Sequence, residues 1–188
     1  METKERILTT ALELFLTEGY ERTGVQSIVD HAGITKPSLY HHFGNKRGLL
    51  QAILDEHLRS FWPKLELASS YKHDITLTLE SITQAYFAFA LEQNQFYPWY
   101  LSIITAPKES DPGQLVRPIL ERQWNLLKTV FELASADHGN MRGRSERYTL
   151  SFLGMVNTYI STYFYGHSEL TEEQSHLACK QYMHGIFS

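Results

Sequence analysis

A chain of 188 residues with 43% hydrophobic content can bury one substantial core, or carry a small head on a larger body. Its formal net charge of -4 excludes attraction to nucleic acid through overall basicity, so any contact with a polyanion must be local and oriented. The single cysteine, Cys179, excludes an internal disulfide, and the start METKERILTT enters an amphipathic pattern with no apolar signal segment; both lead to the expectation of a cytoplasmic protein.

From Lys4 to Glu18 the residues Ile7, Leu8, Ala11, Leu14 and Phe15 recur at helical spacing, and Gly19 stands where a helix commonly ends. This segment reads as a core helix, with Lys4 and Arg6 as cations near its start. The next stretch, Thr23 to Lys46, reads as two short helices around a tight turn. Ile28 and Val29 precede Ala32, Gly33 permits a reversal, Ile34 buries behind it, and Thr35 caps a second helix. Pro37 is tolerated in that first turn, and Leu39 with Phe43 supplies the inward face.

The outward face of the second helix is then Lys36, Ser38, Tyr40, His41 and His42. These side chains suit DNA: a cation for phosphate, hydroxyls for phosphate or base edges, rings for sugar or thymine methyl. Between Asp30 and Asp55 the chain has no carboxylate, yet it carries Lys36, Lys46 and Arg47. Helical hairpins with a glycine turn also occur in proteins that never meet DNA, so geometry alone leaves both readings open. A further detail favours a polyanion. Asn45 is expected to cap a fourth helix, which puts Lys46 and Arg47 in a first turn where the dipole disfavours cations by about 0.3 to 1 kcal/mol each; a phosphate would remove that cost.

Gly19-Tyr20, Thr23, Ile28, Ala32-Gly33-Ile34, Lys36, Leu39-Tyr40, His42-Phe43, Lys46 and Leu49-Leu50 together resemble the amino-terminal signature of TetR-type transcriptional regulators. The resemblance covers roughly the first quarter of the chain; beyond it only size and helical character agree. It implies that Gln26 and Ser38 approach base edges, that Thr35, Tyr40, His42 and Lys46 hold phosphates, and that Lys36, Pro37 and His41 lie at the groove-facing start and side of the recognition helix. Gly24 stands where the family often has a capping hydroxyl, so that phosphate contact is lost unless Thr23 substitutes. Val29 replaces a common Ala, and Arg47 a common acidic residue. The operator sequence stays open, because it depends on a few outward side chains and on DNA deformability.

A linking helix is expected from about residue 46 to 62, interrupted or redirected by Pro63. Topology and the resemblance make it the lever between head and body. Ser69 to Asp74 reads as a loop. Between Glu80 and Glu92 the next helix carries no formal charge, so it is expected to be buried on most sides. An aromatic stretch follows, with Pro98 breaking it, and after a loop around Ala106 to Gly113 comes a long helix with Leu120, Trp124, Leu127 and Phe131.

So aromatic a body either packs solid or encloses an apolar cavity, and related regulators carry an inducer pocket there. The candidate wall is Tyr86, Phe89, Tyr97, Trp99, Tyr100 and Trp124, suited to a neutral or weakly polar aromatic or lipophilic ligand.

Ser135 to Arg144 is polar and expected to be a mobile loop. Tyr148 to Ser168 lacks charge, but its many hydroxyls and Asn157 argue against a membrane span. It shows two apolar faces: Tyr148, Phe152, Val156, Tyr159 and Tyr163 on one, Leu153, Ile160 and Phe164 on the other. The last helix opens on a capping box, Thr171 to Gln174, and runs through Leu177, Ala178, Tyr182 and Ile186. Family dimers are built from such a terminal helix pair, which implies a homodimer on a pseudo-palindromic operator. Which face meets the partner is open from sequence; the candidate interface is Phe152, Val156, Tyr159, Tyr163, Ala178 and Tyr182.

No cofactor is expected. Nine histidines invite a metal reading, but no Cys/His cluster exists, so no metal site is expected either. Neither a nucleophile elbow nor a phosphate-cradling loop presents itself, and an enzyme is not expected. The expectation is an all-α protein of about nine helices: a helix-turn-helix head over 1–46, the linking helix, and a ligand-binding and dimerisation body over 63–188. Its function would be ligand-responsive repression at a DNA operator. The alternatives are a small-molecule-binding or protein-interaction module without specific DNA binding, and an all-α enzyme using the aromatic cavity.

Overall fold

The amino-terminal periodicity closes into helices as expected. The computed structural model describes residues 3–185, and among them are α1 (Thr3–Glu18), α2 (Val25–Ala32), α3 (Lys36–Phe43) and α4 (Lys46–Leu58). Ile7, Ala11 and Phe15 of α1, Ile28 of α2, Leu39 of α3 and Leu49, Leu50 and Ile53 of α4 are buried to 1% exposure or less. That shared core packs α1 on α2 and α4, and α3 on α2 and α4.

The linking helix stops earlier than Pro63 suggests. It ends at Leu58, and α5 (Phe61–Ala68) starts anew with Pro63 in its own first turn, where the missing N–H costs no hydrogen bond. Pro98 likewise does not break its segment: α7 (Phe96–Ile103) runs through it from the first turn, after α6 (Ile75–Glu92). Then come α8 (Asp111–Asp137), α9 (Ser145–Phe164) and α10 (Glu172–His184). The described residues thus form ten α-helices and no strand. α8 extends into the stretch expected as a loop, and a 3-10 turn at Gly139–Met141 follows it. Ile186 lies outside the described residues.

Packing divides the chain into two units. The first joins the described residues up to Arg59 to Trp99–Arg117; the second comprises Ser60–Pro98 and the described residues from Pro118 onward. The boundaries expected from sequence assigned everything after residue 63 to the body. Packing instead groups Trp99–Arg117 with the head, where Trp99 stacks on Phe15 with ring centroids 6.1 Å apart.

In the second unit α6 packs on α5, α9 and α10, with Ile82, Tyr86, Phe87 and Phe89 buried. The inward face of α9 is Thr149, Phe152, Val156 and Ile160, and α10 turns Ser175, Ala178 and Cys179 inward. Phe152, Val156 and Ala178 therefore belong to the protomer core and are not available to a partner, a correction to the candidate interface. Ile160, assigned to the other face from sequence, is core as well, because apolar residues on both sides of a helix do not say which side is covered. Tyr159, Tyr163 and Tyr182 are half-buried. No helix among the described residues is long and apolar enough to cross a membrane.

Candidate nucleic-acid interface

The turn between α2 and α3 is built from local chemistry. Gly33 adopts φ 61°, the left-handed conformation that glycine takes without a Cβ clash, and its N–H bonds the Asp30 carbonyl. Ile34 N–H closes onto the Val29 carbonyl at 3.0 Å. Thr35 then caps α3, its hydroxyl oxygen accepting from Ser38 N–H at 3.4 Å. Only Leu39 of α3 is fully buried, which fixes the rotation of this helix and leaves Lys36, Pro37, Tyr40, His41 and His42 exposed, with Ser38 half-buried. Tyr40 is 45% exposed despite its ring. The His41 and His42 rings meet edge to face, centroids 5.5 Å apart.

Two expected contacts change on inspection. Thr23 is fully buried, and its hydroxyl donates to the carbonyls of Gly19 at 2.9 Å and Leu14 at 3.3 Å. It completes the end of α1 and is not a phosphate ligand. Nor does it substitute for the missing cap of α2, where Gly24 offers no side-chain bond. Gln26 is exposed, but its amide donates to Asp30 Oδ1 at 2.7 Å, so reaching a base edge means giving up that exposed pair, worth about 0.2 to 0.5 kcal/mol.

Asn45 caps α4 as expected, Oδ1 accepting from Gly48 N–H at 2.8 Å. The two cations behind it differ. Lys46 lies 4.1 Å from the centroid of the Tyr20 ring, with Nζ 3.5 Å from the Glu21 carbonyl. Burial pulls its pKa below the ordinary lysine range, against the opposing carboxylates of Glu21 and Asp111. Arg47 is answered from within the chain: it donates to Asp111 Oδ1 at 3.0 Å and to Gln114 Oε1 at 2.6 Å. Its unfavourable helix-terminal position thus needs no phosphate, which removes half of the dipole argument made from sequence.

Asp111 and Gln114, at the start of α8, are the residues that sequence reasoning missed. Asp111 also accepts from the Tyr20 hydroxyl at 2.7 Å. Burial first, then Asp111, raises the Tyr20 phenol well above its usual range, while the Tyr20 bond holds the Asp111 carboxyl below its own. Only the polar start of α8 hinted at this contact.

The aromatic residues expected to line a pocket are shared between the two units. Tyr86, Phe89 and Tyr97 are buried in the second unit around Phe61, whose ring stacks on Phe89 at 4.3 Å. Tyr97 donates to Asn157 Oδ1 at 3.2 Å. Trp99 and Tyr100 are buried in the first unit, and Trp124 is half-buried.

An all-α chain with a capped, glycine-turned helix pair and an exposed, acid-free second helix is of the helix-turn-helix class. Residues 7–53 match the family described as bacterial regulatory proteins, tetR family. The chain is 32% identical over 140 residues, 73% of its length, to the HTH-type transcriptional activator FasR of Mycolicibacterium smegmatis, and spans 61% of that relative. Among solved structures, FadR of Bacillus subtilis in complex with stearoyl-CoA superposes with a TM-score of 0.75 at 18% identity, covering 97% of this chain and 98% of that one. AibR in complex with isovaleryl coenzyme A and operator DNA gives 0.70 at 24% identity, covering 96% and 97%. Residues 7–53 of the chain belong to the TetR family of bacterial regulatory proteins.

Proposed function

We propose that this protein is a ligand-responsive, DNA-binding transcriptional regulator that acts as a homodimer and represses from a pseudo-palindromic operator. The observation that carries this reading is the outward surface of α3: Lys36, Pro37, Tyr40, His41 and His42 are exposed, and no carboxylate stands between Asp30 and Asp55. An oriented surface of this kind answers the problem set by a net charge of -4, since it confines phosphate attraction to one face. Two copies related by a twofold axis would set two such helices one helical turn of DNA apart.

The effector belongs to the lipophilic or aromatic class. The aromatic body supports this, as do the coenzyme A thioesters named with FadR and AibR, whose acyl parts are lipophilic. Tyr86, Phe89, Tyr97, Trp99, Tyr100 and Trp124 remain its candidate contacts. Effector binding would disfavour the head arrangement that fits both half-sites, with a coupling of roughly 1 to 3 kcal/mol.

The test is selection of bound sequences from random duplexes, followed by titration against salt. Lys36→Ala is expected to weaken all duplexes alike and to lower the salt slope by about one, whereas Ser38→Ala relaxes preference at one or two base pairs. Failure to enrich any sequence, or an unchanged slope in Lys36→Ala, would overturn the reading of α3.

A further inference from the structure

The second unit contains a cleft of about 350 Å³ whose lining includes none of the six aromatic residues expected to form the pocket wall. Ile75 and Leu79 of α6 and Phe131 of α8 line it, all nearly inaccessible to solvent. Half-buried Tyr148 of α9 and Tyr182 of α10 line it too, and the Phe131 and Tyr148 ring centroids lie 5.6 Å apart. The Tyr182 hydroxyl is committed to the Tyr148 carbonyl at 2.8 Å, so the rings and not this hydroxyl are what the pair offers.

Three features define the occupant. No lining residue is Asp, Glu, Lys or Arg, so an ion entering would lose hydration without a countercharge. The volume falls at the small end of ligand pockets, about 300 to 1,000 Å³, which limits the occupant to one or two rings. The remaining lining includes the thioethers Met141 and Met183, which adapt to irregular apolar shapes, and His138 and Asn140, exposed side chains in and beside the 3-10 turn that can each donate or accept.

We propose that this cleft is a binding site for a neutral, mainly aromatic small molecule bearing one hydroxyl or carbonyl group. Its role as an effector site rests on the regulator reading above; its ability to bind does not.

The experiment uses 2-naphthol as probe on the full chain, with naphthalene-2-sulfonate as the charged analogue of the same ring system, both followed by their fluorescence. 2-Naphthol is expected to bind at least about tenfold more tightly than the sulfonate. Met183→Trp, a change at an exposed position that fills the cleft, is expected to abolish binding, and Asn140→Ala to weaken it several-fold; thermal melts verify that both variants fold. Absence of 2-naphthol binding, equal binding of the two probes, or unchanged binding in Met183→Trp would each overturn the proposal. Phe89→Leu probes the separate aromatic cluster, and loss of binding there with retention in Met183→Trp would move the site out of the cleft. Duplex titration with and without 2-naphthol is scored separately: retained duplex binding that ignores the probe removes the effector role alone, and absence of duplex binding removes the regulator reading and the effector role with it, leaving the binding site to stand or fall on the probe titration.

Discussion

Tyr20 donates its hydroxyl to one oxygen of Asp111 at 2.7 Å while Arg47 binds the other at 3.0 Å, tying the turn after α1 and the first turn of α4 to the start of α8. The contact has two pH limits. Asp111 is held below its ordinary range chiefly by the Tyr20 bond, so its contribution is complete above the unfolded value of about 3.9 and is lost as pH falls through the folded one. Tyr20 is raised chiefly by burial, so its contribution is complete below about pH 10 and is lost as pH rises. Solvent reaches 40% of both the Asp111 and Arg47 side chains, and screening leaves about 1 kcal/mol for the ion pair with its hydrogen bonds. Urea unfolding across pH is expected to show Asp111→Asn less stable by that amount at neutrality and flatter below pH 4, and Tyr20→Phe flatter above pH 10. Parallel curves for wild type and variants would contradict this account.

Thr23 separates a structural role from a DNA-binding one. Thr23→Val keeps the shape but leaves the Leu14 and Gly19 carbonyls without the hydroxyl they share, at a cost of about 1 to 2 kcal/mol. Denaturant melts should record that loss, while the salt dependence of duplex binding stays as in wild type. A salt slope lower by about one would return Thr23 to the phosphate contacts.

What could be read in advance follows the range of the interactions. The caps at Thr35, Asn45 and Thr171 and the left-handed Gly33 were legible because each depends on residues within a few positions. Leu39 was legible as the inward residue of α3 for the same reason. Pro63 and Pro98 misled because a proline in the first turn of a helix costs it no hydrogen bond, and sequence did not fix where the new helix began. Asp111 meets Tyr20 across 91 residues and Arg47 across 64, and beyond the polar start of α8 nothing local announces either contact. Phe152 and Val156 were legible as one apolar face of α9 but not as the covered one, since a second apolar face competed with it.

Gly48 is required by close approach. A Cβ there would overlap the carbonyl oxygen of Phe43, a backbone atom that cannot swing aside. Gly48→Ala gains about 1 kcal/mol of helix propensity but pays about 1 to 3 kcal/mol or more for forcing the end of α3 from the start of α4. The clash is expected to win. A melting temperature below wild type, with reduced duplex affinity because α3 and Lys46 shift together, would bear this out; a variant as stable as wild type would show that the α3–α4 turn yields at no cost.

Gly154 tests the proposed homodimer without presupposing its geometry. It is exposed on α9 near Leu150, which is 67% exposed, and a Cβ added at Gly154 meets no atom of the protomer within 4 Å. For an isolated protomer, Gly154→Leu therefore starts from an open Cβ position on an exposed face and should stabilise by about 0.5 to 1 kcal/mol through helix propensity alone. If two copies pack through this face, glycine is what lets the backbones approach, and a leucine overfills the contact by about 1 to 3 kcal/mol, counted once for each copy. The two cases give opposite results. Sedimentation at micromolar concentration is expected to show a wild-type dimer and a Gly154→Leu variant shifted toward monomer, with a lower melting temperature. A variant that melts higher and keeps its mass would exclude this face of α9 from the interface.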